Sequence, residues 1–167
     1  MSEVKRIFIV GHMGAGKALL AEALAKKLGW KFIDANPSLE RYIGRNLNEI
    51  FGAQGEAAFH HCEAEIIVRY KGQEHVVVVL EEAVVATEEN RKLLSSEFVV
   101  YLKVSVPVQI ERMKGGRIPL LPIANLKAFL DQQHLARDGF YEEVASLTIE
   151  SVSVEDDVNK IMQALGK

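Results

Sequence analysis

Cysteine is almost missing from this chain: Cys62 is the only one in 167 residues. An internal disulfide is therefore excluded, and Cys62 is read as a space-filling residue on a helix. A surplus of positive charge is also missing, since 20 Lys and Arg face 23 Asp and Glu for a net charge of −3. Without a basic cluster, neither nucleic acid nor an anionic membrane is an expected partner. No apolar run is long enough to span a bilayer, and the N-terminus lacks a signal peptide's apolar stretch, so a cytoplasmic location is expected. Repeats, low-complexity tracts and linkers are absent too, so 1–167 is expected to be a single domain. What is present is ordinary core material, with 49% of residues hydrophobic.

The most informative segment is Gly11-His12-Met13-Gly14-Ala15-Gly16-Lys17-Ala18. It matches the phosphate-binding pattern G-x-x-x-x-G-K-[ST] except at its last position. The glycines let backbone N–H groups curl around a phosphate, the Lys reaches the β/γ oxygens, and the final hydroxyl ligates Mg²⁺. Ala18 removes that hydroxyl. The flanks support the motif: Ile7 to Val10 is an apolar run suited to a buried strand. Leu19, Leu20, Ala23, Leu24 and Leu28 then recur at helical spacing up to Gly29, a helix stop. The nucleotide-binding candidates are Gly11, Met13, Gly14, Ala15, Gly16, Lys17, Ala18 and Leu19, and the expected ligand is ATP or ADP.

Further on, strands and helices alternate. Strands are expected at 31–33, ended by Asp34, and at 76–80, 98–104 and 147–149. Helices are expected at 46–51, 56–70, 88–94, 107–113, 126–137, 139–144 and 154–165, with Asn36 as a possible N-cap before Pro37. This alternation predicts an α/β fold, a parallel sheet with helices on both faces. Gly115-Gly116-Arg117-Ile118-Pro119 reads as a flexible lid loop. The run Val76 to Glu82 looks like an apolar strand ending in acid. Glu81 and Glu82 at its end are read as two solvated carboxylates on a loop, with a metal role as the alternative. His60-His61-Cys62-Glu63 points to different faces of one helix, so it is read as a partly exposed helix rather than a metal cluster.

With these pieces in place, the chain resembles the shikimate kinase family over nearly its whole length. The likeness rests on the glycine loop, Phe32-Ile33-Asp34, Gly55-Glu56 with Phe59 and Glu63, and Asn90-Arg91. It continues through Arg117 with Pro119-Leu120-Leu121, and Arg137 with Tyr141-Glu142-Glu143-Val144-Ala145. The resemblance implies a three-layer P-loop fold with a five-stranded parallel sheet in the order 2-3-1-4-5. It implies a substrate-binding helical region at about 34–60 and a lid at about 114–125. It also implies ATP-dependent phosphorylation of the shikimate 3-hydroxyl. Lys17, Asp34 and Arg117 become the catalytic candidates, with Arg117 also over the nucleotide. Asn36, His60, Glu81, Glu82 and Arg137 become the substrate-binding candidates, and Asp34 and Glu81 the metal ligands.

The departures from the family pattern fall on chemical positions. The family's D-x-D is Asp34 and Asn36 here, and an amide cannot take up a proton as a base. His60 replaces an Arg that would hold the substrate carboxylate in a bidentate fork. Leu80, Glu81 and Glu82 replace three glycines, and like charge beside a bound carboxylate costs on the order of 1 kcal/mol. Ile118 is an extra residue in the lid motif. The expectation is a shikimate-kinase-like protein that keeps nucleotide binding, with Mg²⁺ weakened or absent and shikimate phosphorylation degraded. Its role would be binding or regulation, as a monomer with an unknown protein partner. The rival is an active small-molecule kinase, working on shikimate at a low rate or on another acceptor.

Overall fold

The computed structural model describes residues 3–35, 55–114 and 125–167, with the side chains of 55–61 outside that description. Five strands form one parallel sheet: β1 Arg6–Val10, β2 Lys31–Asp34, β3 Val76–Val79, β4 Val99–Lys103 and β5 Leu147–Glu150. Their order is β2-β3-β1-β4-β5, as the family resemblance implies. Six helices accompany them among the described residues: α1 Lys17–Leu28, α2 Gly55–Lys71, α3 Glu88–Leu94, α4 Val106–Lys114, α5 Leu126–Val144 and α6 Val154–Ala164.

The strands are apolar throughout because both faces of the sheet are covered. Side chains alternate across a strand, so Ile7 and Ile9 of β1 pack with Leu20 and Leu24 of α1 and Ile161 of α6. Phe8 and Val10 point the other way, into a core with Ile67 of α2 and Tyr141 and Val144 of α5. All four valines of β3 are buried between these layers. Each such side chain contributes roughly 1.5–3 kcal/mol by leaving water. Helix α1 stops at Gly29, whose φ of 72° is the left-handed cap the sequence suggested.

Two expectations need correction. The stretch expected as separate helices at 126–137 and 139–144 is one continuous helix, α5. A mid-helix glycine costs about 1 kcal/mol relative to Ala, but Leu130, Tyr141 and Val144 are buried along this helix, and that burial outweighs the penalty of Gly139. The residues after β3 are not a plain loop either. Glu82–Ala86 form a short 3₁₀ helix with Glu81 as its N-cap. The expected helix at 46–51, the cap at Asn36 and the lid loop lie outside the described residues.

Candidate active site at the C-terminal edge of the sheet

Strand β1 ends at Val10 in the middle of the sheet, and the chain turns through the glycine loop into α1. A crevice at the C-terminal ends of parallel strands is where ligands of such sheets bind. Two glycines are required by the turn itself. A Cβ on Gly11 would lie 2.8 Å from the Leu102 carbonyl oxygen, and Gly16, the N-cap of α1, has φ 93°. The loop is pinned from outside as well. Arg112 of α4 donates to the Ala15 carbonyl and, at 2.9 Å, to Ser151 Oγ, while Gln109 Nε2 donates to the Met13 carbonyl at 2.7 Å.

Lys17 is buried, and its Nζ donates to the carbonyls of Gly11 at 2.8 Å and His12 at 3.0 Å. Burial pushes its pKa down. The negative charges of Glu82, Glu81 and Asp34 push it back up, and Arg137 opposes them. These four groups are sequence candidates, so the fold gathers Asp34, Glu81, Glu82 and Arg137 within electrostatic reach of Lys17. The register explains the gathering. Asp34 pairs with Val79 at the end of β3, and Ala35 N–H donates to the Val79 carbonyl, so the ends of β2 and β3 present Asp34 and Glu81 beside the loop.

Glu81 is more constrained than two solvated carboxylates would be. Its side chain accepts from Ala83 N–H at 2.7 Å. Burial raises its pKa well above the usual carboxylate range, and the neighbouring charges of Glu82 and Glu63 raise it further. Glu82 is fixed through its backbone, since the Tyr141 hydroxyl donates to its carbonyl at 2.5 Å. Ala18 is half-buried at the start of α1, and Leu19 beside it is exposed. Asn36, Arg117 and the His60 side chain lie outside the described residues. Cys62 is a free, half-buried thiol on α2, as expected of a space-filling residue.

Sequence reasoning missed a second polar cluster behind the loop. His12, fully buried, places Nε2 2.6 Å from Asp138 Oδ1 and stacks on His134, with ring centroids 3.9 Å apart. His134 Nδ1 lies 3.2 Å from Asp138 Oδ2. His134 and Asp138 are one turn apart on α5, a spacing that puts them on one helix face. That spacing was the one available signal, and nothing local tied it to His12.

Comparison with known proteins decides the family. The shikimate kinase family model matches residues 13–166. The chain belongs to the shikimate kinase family. A shikimate kinase of Legionella pneumophila is 34% identical over 167 residues, covering 98% of this chain and 95% of that protein. The structure of shikimate kinase from Acinetobacter baumannii in complex with shikimate superposes with TM-score 0.81 at 32% identity, covering 97% of this chain and 93% of that one. That of shikimate kinase from Bacteroides thetaiotaomicron gives TM-score 0.82 at 26% identity, covering 98% and 99%. Membership implies use of ATP and Mg²⁺. Among the described residues, no helix is long and apolar enough to cross a membrane.

Proposed function

We propose that this family member binds ATP or ADP at the Gly11–Lys17 loop and phosphorylates shikimate poorly, acting as a cytoplasmic nucleotide-binding protein with a binding or regulatory role. The observation that carries this reading is a juxtaposition. Lys17 sits in a formed glycine loop, while Glu81 and Glu82 occupy the facing side of the crevice and act on it electrostatically. On nucleotide binding, the helix N-terminus and loop N–H groups would hold the β-phosphate, and Lys17 would exchange the carbonyls of Gly11 and His12 for phosphate oxygens. Arg117 would cover the phosphates from a lid at about 114–125, and the region at about 34–60 would hold the acceptor.

Phosphoryl transfer depends on charge neutralisation and on a well-placed acceptor hydroxyl. Mg²⁺ supplies part of that neutralisation when bound. Asp34 and Glu81 have the oxygen chemistry to hold it, and Ala18 has none. Glu81 is an impaired ligand, because its carboxylate already caps the 3₁₀ helix and burial favours its protonated form. On the acceptor side Arg137 remains as a cation for a carboxylate. His60 is a weaker partner than the family's Arg, Asn36 offers no base, and the charge of Glu82 repels an anion.

A second reading, an active kinase for a less anionic acceptor, is favoured by the same two glutamates. Coupled ADP-release assays with shikimate, and with neutral or cationic polyols, separate the two. Little turnover on any acceptor, with nucleotide binding intact by calorimetry, is the expected result. Turnover on shikimate in the ordinary kinase range of ~1–100 s⁻¹ would overturn the first reading. Turnover confined to another acceptor would establish the second.

A further inference from the structure

The cluster behind the loop has a geometry that points to what it can bind. Gln109 Nε2 donates to the Met13 carbonyl at 2.7 Å, and a carbonyl can only accept, so the amide oxygen Oε1 is the atom facing His134. Oε1 also only accepts, and it lies 3.0 Å from His134 Nε2, so that nitrogen carries the proton. The other ring nitrogen, Nδ1, faces Asp138 Oδ2 at 3.2 Å.

His12 completes the group. Its Nε2 lies 2.6 Å from the other oxygen of the same carboxylate. One ligand atom from each of His12, His134 and Asp138 lies within 4.8 Å of the other two. We propose that His12, His134 and Asp138 form a site for a late first-row divalent cation of the Zn²⁺ type, distinct from the Mg²⁺ that accompanies ATP. Two imidazoles and one carboxylate are a zinc-like donor set, whereas Mg²⁺ takes oxygens. The Gln109 amide is the outer partner such a site uses, an acceptor that fixes the tautomer of a ligating histidine.

Binding requires His12 to carry its single proton on Nδ1 and the two nearly parallel rings, 21° apart, to tilt toward one ion. Asp138 is about one-third exposed, so water can supply a fourth ligand. The Tyr101 hydroxyl donates to Asp138 Oδ1 at 3.3 Å and steadies the carboxylate. Lys17 bonds to the His12 carbonyl, so an ion here would tie the phosphate loop to α5.

The test uses the full chain, stripped with chelator and titrated with Zn²⁺ by calorimetry and with Co²⁺ by visible absorption. One Zn²⁺ per chain at micromolar affinity, insensitive to excess Mg²⁺, is expected, with a Co²⁺ spectrum of low-coordinate type. His134→Gln and Asp138→Asn should each weaken Zn²⁺ at least ~10-fold, and Gln109→Leu about 10-fold through the outer partner. Cys62→Ser should change nothing. Circular dichroism checks that each variant is folded. Absence of saturable Zn²⁺ binding by the native chain would overturn the proposal. So would Zn²⁺ binding that survives both His134→Gln and Asp138→Asn, or that disappears in Cys62→Ser.

Discussion

On the phosphate side of the crevice, Gly11, Gly16 and Lys17 stand where the motif needs them, and α4 pins the loop from outside at Met13 and Ala15. On the acceptor side, the ends of β2 and β3 are just as well positioned, but their side chains are carboxylates that interact with one another and with Lys17. The first side has kept its backbone chemistry, which one Ala for Ser or Thr scarcely disturbs. The second relies on side-chain chemistry, which each substitution changes directly. The two sides therefore respond differently to sequence change, because backbone N–H groups survive substitution and side-chain donors do not.

The largest effect should come from rewriting the acceptor side. The combination Ala18→Ser, Asn36→Asp, His60→Arg, Glu81→Gly and Glu82→Gly restores a metal ligand, a base and a carboxylate clamp, and it removes repulsion. A base alone is worth about 10²–10⁴-fold. Turnover on shikimate, followed by ADP release, should rise by ~10²-fold or more over the native chain. Ala18→Ser alone should leave turnover low. A native chain already as fast as the combined variant would erase the contrast between the two sides.

The phosphate side is tested by Lys17→Ala. A hydrogen bond to a charged partner is worth about 1.5–3 kcal/mol, which is ~10–100-fold in affinity. Calorimetry should show ATP weakened by that factor, and ATP binding indifferent to Lys17 would mean that the nucleotide sits elsewhere. Ala18→Ser should act more gently, widening by a few-fold the gap between ATP affinity with Mg²⁺ and with chelator. If Ser adds nothing to the Mg²⁺ effect, another ligand compensates, with Glu81 or Glu82 the first suspect.

How far these features could be read in the sequence follows from their range. Ile7 to Val10 and Val76 to Val79 announce buried strands because both sheet faces are covered, and the glycine loop announces itself by spacing alone. The β2-β3-β1-β4-β5 order came from family resemblance, since no local pattern encodes which strands are neighbours. Glu81 as a helix cap was illegible because the 3₁₀ helix it starts is only five residues long. The pairing of His12 with Asp138 joins positions 126 residues apart, and only the packing of α5 against the loop creates it.

Tyr141 binds the acceptor side to α5, and its removal measures how firmly Glu82 is held. Tyr141→Phe leaves the partly buried Glu82 carbonyl without this donor, which costs about 1 kcal/mol. Chemical denaturation should show that loss of stability. Nucleotide affinity should change less than in Lys17→Ala, because the Tyr141 hydroxyl bonds to Glu82, whereas Lys17 stands in the glycine loop itself.

The smallest effect separates stability from both sides. Gly139 lies within α5, between Asp138, which meets the phosphate loop through His12, and Tyr141, which holds Glu82. It is exposed, its φ is not positive, and a Cβ there would meet nothing within 4 Å. Glycine in a helix interior is less stable than Ala by about 0.5–1 kcal/mol, mainly because the unfolded chain has more freedom to lose. Gly139→Ala should therefore raise the unfolding free energy by that increment, with ATP affinity and turnover unchanged. A change in nucleotide affinity would mean that α5 flexes at Gly139 when the crevice fills. The two sides would then be coupled through this helix rather than independent, and the contrast between them would be a property of one moving element.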